Sequence, residues 1–298
     1  MTLEQLRIFV AVATREHVTQ GARDLNLTQS ATSAAIAALE ARYATKLFDR
    51  VGRRVVLTEA GRVFLEEARA VLARASAAET VLADLAGLKR GSLRVAASQT
   101  VANYWLPHHL ARFHEAYPGI AVQVTIGNTG TTAALVHEGS ADLGIIEGAI
   151  DDPHLAISTV AQDELVLVVS PHHPWAGIEQ LEPAALETSR WVLREPGSGT
   201  RQAFEEALGC AGLALANIEV ALEIPSNEAV RAAVEAGSGA AIMSRLVVEQ
   251  SVRLGTLALV PFALPPRRFL ALRHKQRHVT RAAEELSRLI AEGLQPAR

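Results

Sequence analysis

The chain has 298 residues, enough for about two domains, and apolar residues make up 49% of it, which is ample for a hydrophobic core. No run approaches the roughly 20 apolar residues needed to span a bilayer, and the first residues lack the features of a secretory signal, so we expect a cytoplasmic protein without membrane contact. The single cysteine, Cys210, excludes an intramolecular disulfide and a cysteine-cluster metal site, and we expect it to be buried or half-buried.

The formal charge of −3 is unevenly divided. Residues 1–90 contain 13 Lys/Arg and 10 Asp/Glu, a net +3, whereas residues 91–298 contain 16 and 22, a net −6. The excess of positive charge favours an anionic partner for the first 90 residues. Because +3 is a small charge, a polyanion would be bound best by two or more copies acting together.

The first 45 residues predict three short helices. Residues 3–14 repeat the helical period behind a Thr2-x-x-Gln5 capping box, residues 19–25 form a second helix, and Thr28 caps a third. The buried side of the third helix is predicted to consist of Ala31, Thr32, Ala35, Ile36 and Leu39. Its outward side would consist of Gln29, Ser30, Ser33, Ala34 and Ala37. Such a helix can lie in a DNA groove, although alone it could also be an ordinary amphipathic core helix.

Basic residues follow around a glycine turn between two apolar runs, at Arg50, Arg53 and Arg54, and predict a small β wing. The order of helix, turn, helix and wing resembles the DNA-binding head of the LysR-type transcriptional regulators, a large bacterial family. The segments that carry this resemblance are Leu27-Thr28-Gln29-Ser30-Ala31, Ala38-Leu39-Glu40, Lys46-Leu47-Phe48-Asp49-Arg50 and Leu57-Thr58-Glu59-Ala60-Gly61. The chain departs from the family at Ala34, where a basic or long polar residue is common, and at Glu16-His17, where a Gly-Ser pair is common.

The resemblance implies a winged helix-turn-helix domain at residues 1–58 that binds double-stranded promoter or operator DNA. Helix residues would contact bases and the wing arginines would contact phosphates. RNA polymerase is a further candidate partner, and no cofactor or metal is implied. The expected DNA-binding residues are Thr28, Gln29, Ser30, Ser33, Ala34, Arg50, Arg53 and Arg54.

A long helix is predicted at residues 59–88, followed by a hinge at residues 89–91. Its apolar residues recur at three- and four-residue steps, which is typical of a helix that pairs with another. They are Leu65, Val71, Leu72, Ala75, Ala78, Leu82 and Leu85. We expect residues 59–90 to form a linker that joins two chains into a homodimer, with a homotetramer common in the family. The alternative is a helix packed on its own domain.

After the hinge, strands and helices alternate, which predicts parallel sheets with helices on both faces. The resemblance implies an α/β effector domain at residues 91–298 that is similar to the periplasmic binding proteins. Its first lobe would contain residues 91–161 and 268–298, and its second lobe residues 162–267. The chain would cross between lobes near Ala161 and Arg267, so the whole protein is expected to be multidomain.

Hydroxyl-rich turns follow several of these strands, where ligands of open α/β sheets bind. Glycines in the turn Gly197-Ser198-Gly199-Thr200 let several N–H groups point at one anion, although this turn could also be an ordinary loop and helix cap. Glu147 and Asp142 are expected to shape the cleft or to pair with Arg201. The expected effector-binding residues are Ser98, Gln99, Thr100, Asn128, Thr129, Gly130, Thr131, Glu147, Gly197, Ser198, Gly199, Thr200, Arg201 and Asn227.

Further segments resemble one branch of the family, which includes regulators of sulfur assimilation, a sulfite-responsive type among them, and regulators of the Rubisco operon. Two of these segments are Asn103-Tyr104-x-Leu106-Pro107 and Ser226-Asn227-Glu228-Ala229-Val230. The branch implies a small anionic effector, sulfite or a related sulfur oxyanion, with a phosphorylated carbon metabolite as the alternative. The few aromatic residues, seven Phe, three Trp and three Tyr, make an aromatic acid a poor fit.

The rival class is a small-molecule enzyme, or the binding subunit of a transporter, on the same two-lobed α/β fold. The lack of a secretory signal disfavours the transporter subunit. No Gly-x-Ser-x-Gly nucleophile elbow is present, and the histidine spacings His108-His109, His172-His173 and His274/His278 do not suit a metal site. We therefore expect no enzymatic activity and no metal ligands.

Overall fold

In a computed structural model of the protein, residues 1–52, 54–85 and 91–293 are described. The chain divides into two compact units, one containing Met1–Leu82 and Glu138–Ser140 and the other Ala83–His137 and Ala141–Arg298. Within the described ranges, no helix has the length and apolar character that a membrane crossing requires.

The first unit contains three short helices, a hairpin and one long helix. These are α1 (Leu3–Arg15), α2 (Val18–Asp24), α3 (Gln29–Tyr43), β1 (Phe48–Val51), β2 (Arg54–Leu57) and α4 (Glu59–Leu85). The capping box predicted for α1 is present, because Thr2 accepts the Gln5 N–H at 3.2 Å and Gln5 accepts the Thr2 N–H at 3.0 Å. The helices and the hairpin thus follow the predicted order.

The core of this unit is centred on Phe9, whose ring lies 5.3 Å from that of Phe48 and 4.9 Å from that of Phe64. Leu65 and Leu72 of α4 pack against this core. Both residues are half-buried there, so the first turns of α4 also pack on their own domain, and the pairing of this helix with a second chain stays a prediction. Residues 86–90, which complete the predicted helix and most of the hinge, lie outside the described part of the chain.

The second unit contains two sheets. In the first, the strand order is β4 (Ile120–Gly127), β3 (Gly91–Ser98), β5 (Leu143–Glu147), β12 (Arg267–His274) and β6 (Leu155–Asp163). Helices α5 (Leu106–Ala116), α6 (Thr129–Glu138) and α10 (Arg281–Glu292) belong to this lobe, and a π-helical turn at Val101–Trp105 leads into α5.

The second sheet has two parts. In one part, β7 (Leu165–Val169) lies between β10 (Ala241–Ser244) and β11 (Ala258–Val260), and in the other β8 (Arg190–Leu193) pairs with β9 (Glu219–Glu223). A bridge between Trp191 and Ala240 joins the two parts. Helices α7 (Gly199–Cys210), α8 (Asn227–Glu235) and α9 (Arg245–Arg253) complete this lobe. Cys210, expected to be buried or half-buried, is exposed at the end of α7.

The sheets are mixed, so the prediction of parallel sheets is confirmed only for some pairs: β3 runs parallel to β4 and β5, and β8 runs parallel to β9. β12 runs antiparallel to β5 and β6, and β7 runs antiparallel to β10 and β11. β12 comes directly from the second lobe without an intervening helix, and it therefore enters the first sheet from the opposite end. Strands β6 and β11 were not predicted.

Candidate functional site

The exposed side of α3 carries the residues expected to contact DNA. Thr28, Gln29, Ser30 and Ala34 are exposed and Ser33 is half-buried. Gln29 Nε2 donates to Ser33 Oγ at 3.0 Å, so these two polar groups lie one helical turn apart on one face. Hydrogen-bonding side chains on an exposed helix face are suited to base-edge recognition.

The other side of α3 anchors it. Thr28 Oγ1 accepts the Ala31 N–H at 3.2 Å and caps the helix, while Thr32 and Leu39 are buried. Ala31 is exposed, so its predicted place on the buried side is wrong. The first turn of α3 lies outside the hydrophobic cluster, which reaches only Ile36 and Leu39 of this helix.

One carboxylate fixes the hairpin to α3. Glu40 accepts the backbone N–H groups of Leu47 at 2.8 Å and Phe48 at 3.2 Å, and it accepts from Lys46 Nζ at 3.1 Å. Burial opposes its ionisation, yet these donors together hold the pKa of Glu40 below its ordinary value. The ionised Glu40 therefore keeps the wing in a defined position relative to α3.

An open groove of about 700 Å³ is bordered by α2, α3 and the hairpin. Gln29 and Ser33 line it from α3, and Lys46, Arg50 and Arg54 line it from the hairpin and the segment before it. The groove thus combines hydrogen-bonding groups with cationic groups, as binding to a nucleic-acid backbone and its base edges requires. Arg53 lies outside the described residues.

A second candidate site lies between the two sheets, where the connections after β3 meet the start of α8. Asn227 Nδ2 donates to Thr100 Oγ1 at 3.0 Å, and the Asn227 N–H donates to Gln99 Oε1 at 2.9 Å. Gln99 Nε2 donates in turn to the Pro225 carbonyl at 2.9 Å. The predicted residues Gln99, Thr100 and Asn227 are therefore in direct contact.

The connection after β4 meets the segment before α7 in the same way. Asn128 Nδ2 donates to Glu195 Oε1 at 3.0 Å, and the Gly130 N–H donates to the Gly197 carbonyl at 3.2 Å. Together with the contacts of Asn227, these bonds hold the facing edges of the two lobes against each other.

Glu147, at the end of β5, is only 2% exposed. The Ser98 hydroxyl donates to its carboxylate, and the Thr129 hydroxyl donates to its backbone carbonyl. Burial raises the pKa of Glu147, and the positive charge of Arg267 offsets this only in part. In its protonated form a carboxyl group can itself donate a hydrogen bond.

The turn before α7 approaches Glu147 closely. A Cβ on Gly199 would overlap the Glu147 carbonyl oxygen, so only glycine fits this distance. Gly197 has a φ of +87°, in the left-handed region that favours glycine. Ser198 and Thr200 are buried at the start of the helix.

Arg194 begins the turn that the sequence places at the cleft, although it is not among the expected effector-binding residues. It lies buried behind this turn with its side chain 2% exposed. Its guanidinium pairs with Glu195 at 2.8 Å and donates to Asn227 Oδ1. The signal available in the sequence was an arginine directly after the apolar strand β8 and before a Gly-Ser-Gly turn.

Arg267 is the second buried arginine that the sequence interpretation left out, with its side chain 5% exposed. It pairs with Asp163 at 2.9 Å and donates to Thr200 Oγ1 at 3.0 Å. Asp163 ends β6 and Arg267 begins β12, so the pair sits where both chain crossings between the sheets occur.

Two predicted cleft residues have local partners. Thr131 Oγ1 accepts the Asn128 N–H at 2.9 Å. Arg201 pairs with Glu205 and Glu223, at 2.7 and 2.8 Å.

The expected pairing of Arg201 with Glu147 or Asp142 is therefore wrong, because acidic groups nearer to Arg201 occupy its guanidinium. Asp142 pairs with Arg94 instead, at 2.6 Å. In the described ranges, no group of three or more His, Cys, Asp or Glu residues could hold a metal ion.

Two family models match the chain. The model "Bacterial regulatory helix-turn-helix protein, lysR family" matches residues 3–62, and the model "LysR substrate binding domain" matches residues 86–295. The chain belongs to the LysR family. Its resemblance to that family in sequence is thereby confirmed.

Relatives of this LysR-family chain include the "Uncharacterized HTH-type transcriptional regulator YeiE" of Escherichia coli (strain K12), 35% identical over 95% of this chain and 94% of that protein. The "RuBisCO operon transcriptional regulator" of Allochromatium vinosum is 35% identical over 90% and 88%. These relatives are named as transcriptional regulators, in agreement with the prediction that the chain is not an enzyme.

Solved structures support the fold of this LysR-family chain. Full-length CbnR complexed with its target DNA aligns with a TM-score of 0.68 at 24% identity, over 98% of this chain and 100% of that one. The Synechocystis PCC6803 CcmR regulatory domain in complex with 2-PG aligns with a TM-score of 0.63 at 24% identity, over 68% and 97%. The predicted order of a winged head, a long helix and a two-lobed α/β domain is confirmed.

Proposed function

We propose that this LysR-family regulator binds operator DNA through α3 and the wing, and that a small oxyanion bound between its two lobes changes how the heads meet the DNA. It would act in the cytoplasm, where its DNA is, as a dimer or tetramer. We also propose RNA polymerase as a partner of this regulator. The observation that carries the effector part is the pair of buried arginines, Arg194 and Arg267, beside the start of α7.

The polar groups around these arginines suit an oxyanion. The first turn of α7 lies against the Glu147 carbonyl of the first lobe, so the backbone N–H groups and the positive end of the helix dipole lie at the cleft, next to Ser198 and Thr200. Arg194 and Arg267 add two positive charges, which Glu195 and Asp163 balance. Glu147, when protonated, contributes a donor without a negative charge, so an incoming anion meets no excess of like charge.

A sulfur oxyanion is the first candidate. Asn227, Asn128 and Gly130 form direct hydrogen bonds between the lobes, which leaves little space there. A ligand that binds without breaking these hydrogen bonds must therefore be small. A phosphorylated carbon metabolite is the second candidate. It is supported by relatives named as RuBisCO regulators and by the fold shared with CcmR, whose structure holds 2-PG.

Binding would act as a shift between populations. An oxyanion that contacts both lobes favours the arrangement in which the lobes meet over the arrangement in which they are apart. The change in DNA-binding free energy cannot exceed the difference between the oxyanion's binding free energies for these two arrangements. Heads carried by paired chains would then change their spacing on the operator.

Calorimetric titration of the full chain with sulfite, sulfate, thiosulfate, 2-PG and phosphorylated sugars tests the proposal. The variants Thr100→Val and Thr200→Val each lose a hydroxyl group at nearly constant side-chain volume. Each variant should bind the oxyanion more weakly by about 1 to 2 kcal/mol. Thr159→Val, at an exposed position of β6, is the control and should bind as the parent does. The effector proposal is wrong if no oxyanion binds, or if both cleft variants bind as tightly as the parent.

A further inference from the structure

Two segments of the sequence, one around Tyr104 and one around Glu228, are joined by a hydrogen bond. The Tyr104 hydroxyl donates to Glu228 Oε1. Tyr104 lies in the π-helical turn Val101–Trp105 of the first lobe, and Glu228 lies in the first turn of α8 in the second lobe. Neither residue belongs to the proposed effector-binding set, yet their contact spans the two lobes.

The π-helical turn divides its side chains between two hydrophobic clusters. Val101 is buried in the cluster of the first lobe, and Trp105 packs against the same cluster. The Tyr104 ring instead packs against a cluster of the second lobe that contains Val230 of α8. A π-helical turn, which carries one residue more than an α-helical turn, is frequent at functional sites. Here it anchors one lobe to the other through a single aromatic side chain.

The acceptor for Tyr104 is itself held in place. Arg231 donates to Glu228 Oε2 from Nε and Nη2, at 3.2 and 3.1 Å. The same guanidinium reaches Glu235 at 2.9 Å and Ser251 of α9 at 3.1 Å. Burial, together with the hydrogen bond to Glu228, raises the pKa of Tyr104, so the phenol remains a donor at neutral pH.

Tyr104 and Glu228 lie close to the cleft in sequence. Asn227, which donates to Thr100 across the cleft, immediately precedes Glu228, and Thr100 precedes the turn that carries Tyr104. A displacement of the first turn of α8 would therefore move Asn227 away from Thr100.

We propose that Tyr104 is a positioning residue for the effector, which holds the first turn of α8 so that Asn227 reaches across the cleft. The inference rests on the proposed oxyanion binding. Tyr104 acts through Glu228 and touches no effector atom. Its loss should weaken oxyanion binding without unfolding either lobe.

Tyr104→Phe removes only the hydroxyl and keeps the ring in its apolar contact. We expect this variant to bind the oxyanion about tenfold more weakly than the parent, because binding must then also order the first turn of α8, and a coupling of this kind typically changes affinity by about 5- to 150-fold. Tyr117→Phe is the matched control, because the Tyr117 hydroxyl donates to Glu285 at 2.8 Å entirely within the first lobe. That control should bind with the affinity of the parent.

A double-mutant cycle with Glu228→Ala separates positioning from a general loss of stability. If Tyr104 acts through Glu228, Tyr104→Phe should weaken binding much less in the Glu228→Ala background than in the parent. Equal affinities of Tyr104→Phe and the parent would overturn the proposal, as would equal losses in Tyr104→Phe and Tyr117→Phe.

Hydrogen exchange gives a readout that needs no effector. The amides of α8 from Glu228 to Arg231 should exchange faster in Tyr104→Phe than in the parent, and at the parental rate in Tyr117→Phe. If the parent binds none of the oxyanions, the proposed effector is wrong, and unchanged exchange in α8 would separately refute the role of Tyr104.

Discussion

A carboxyl group that is buried in the folded protein and hydrated in the unfolded chain makes stability depend on pH. At Glu147, burial raises the pKa, and the nearby Arg267 charge offsets only part of the rise. At pH values between the unfolded and the folded pKa, the folded protein keeps the proton and the unfolded chain has released it. The free energy of unfolding therefore falls as the pH rises through this interval.

Glu147→Gln should remove this contribution, because the amide has no proton to release. We expect the parent to lose stability relative to the variant as the pH rises above 4.5, the ordinary value of the group. The slope of the difference should not exceed about 1.4 kcal/mol per pH unit, the limit for one proton. Urea unfolding of the full chain at a series of pH values measures it.

Glu219→Gln, at an exposed position of β9, is the control for this series and should follow the pH profile of the parent. Parallel pH profiles of the parent and Glu147→Gln would show that the buried carboxyl does not retain its proton on folding.

At the scale of elements, α3 and the wing differ in the groups that they offer to DNA. The exposed side of α3 carries neutral hydrogen-bonding side chains, whereas the hairpin carries Arg50 and Arg54. Neutral donors and acceptors distinguish base edges, and arginines bind phosphates irrespective of sequence. The two elements should therefore contribute specificity and general affinity separately.

Gln29→Ala and Arg50→Ala should separate these contributions. Gln29→Ala should cost about 1 to 3 kcal/mol, chiefly at the preferred operator. Arg50→Ala should weaken binding to all sequences and reduce the slope of log K against log salt by about 0.9. Arg74→Ala, at an exposed position of α4, is the control, and the measurement is a salt series of anisotropy titrations on operator and random DNA. Equal losses on both DNAs for Gln29→Ala would contradict the assignment of α3.

The elements that could be predicted from sequence are those fixed by neighbours in the chain. The capping box of α1 and the Thr28 cap of α3 depend on residues three positions apart, and both are present. The direction of β12 depends instead on a strand partner more than 100 residues away, which no local pattern encodes. The contact between Arg194 and Asn227 escaped prediction for a related reason, because Asn227 lies 33 residues further along the chain.

At the scale of the whole molecule, α4 carries exposed apolar side chains that do not pack on the head. Val63, Val71 and Leu82 are 60%, 40% and 69% exposed. Apolar side chains along one helix are covered when two such helices pair. A second copy of the chain is the expected partner, in line with the modest charge of a single head.

Replacing Val71 and Leu82 together by glutamate should give monomers that bind a two-half-site operator weakly, because paired helices would bring like charges together. Leu254→Glu is the control, since Leu254 is 71% exposed in the other unit. Light scattering at micromolar concentration measures the mass. A sharp monomer peak from the unmodified protein would rule out this mode of assembly.

The double crossing between the lobes also sets the order in which the protein can be completed during synthesis. β12 is an inner strand of the first sheet, between β5 and β6, yet β6 ends at Asp163 and β12 begins only at Arg267. At about 5 to 20 residues per second, the ribosome takes roughly 5 to 20 s to make the intervening segment. During that time every strand of the second sheet is made, while β5 and β6 still lack the strand that joins them. The lobe whose strands appear first is thus the last to be finished, and its two unpaired strand edges are exposed to other nascent chains for that interval.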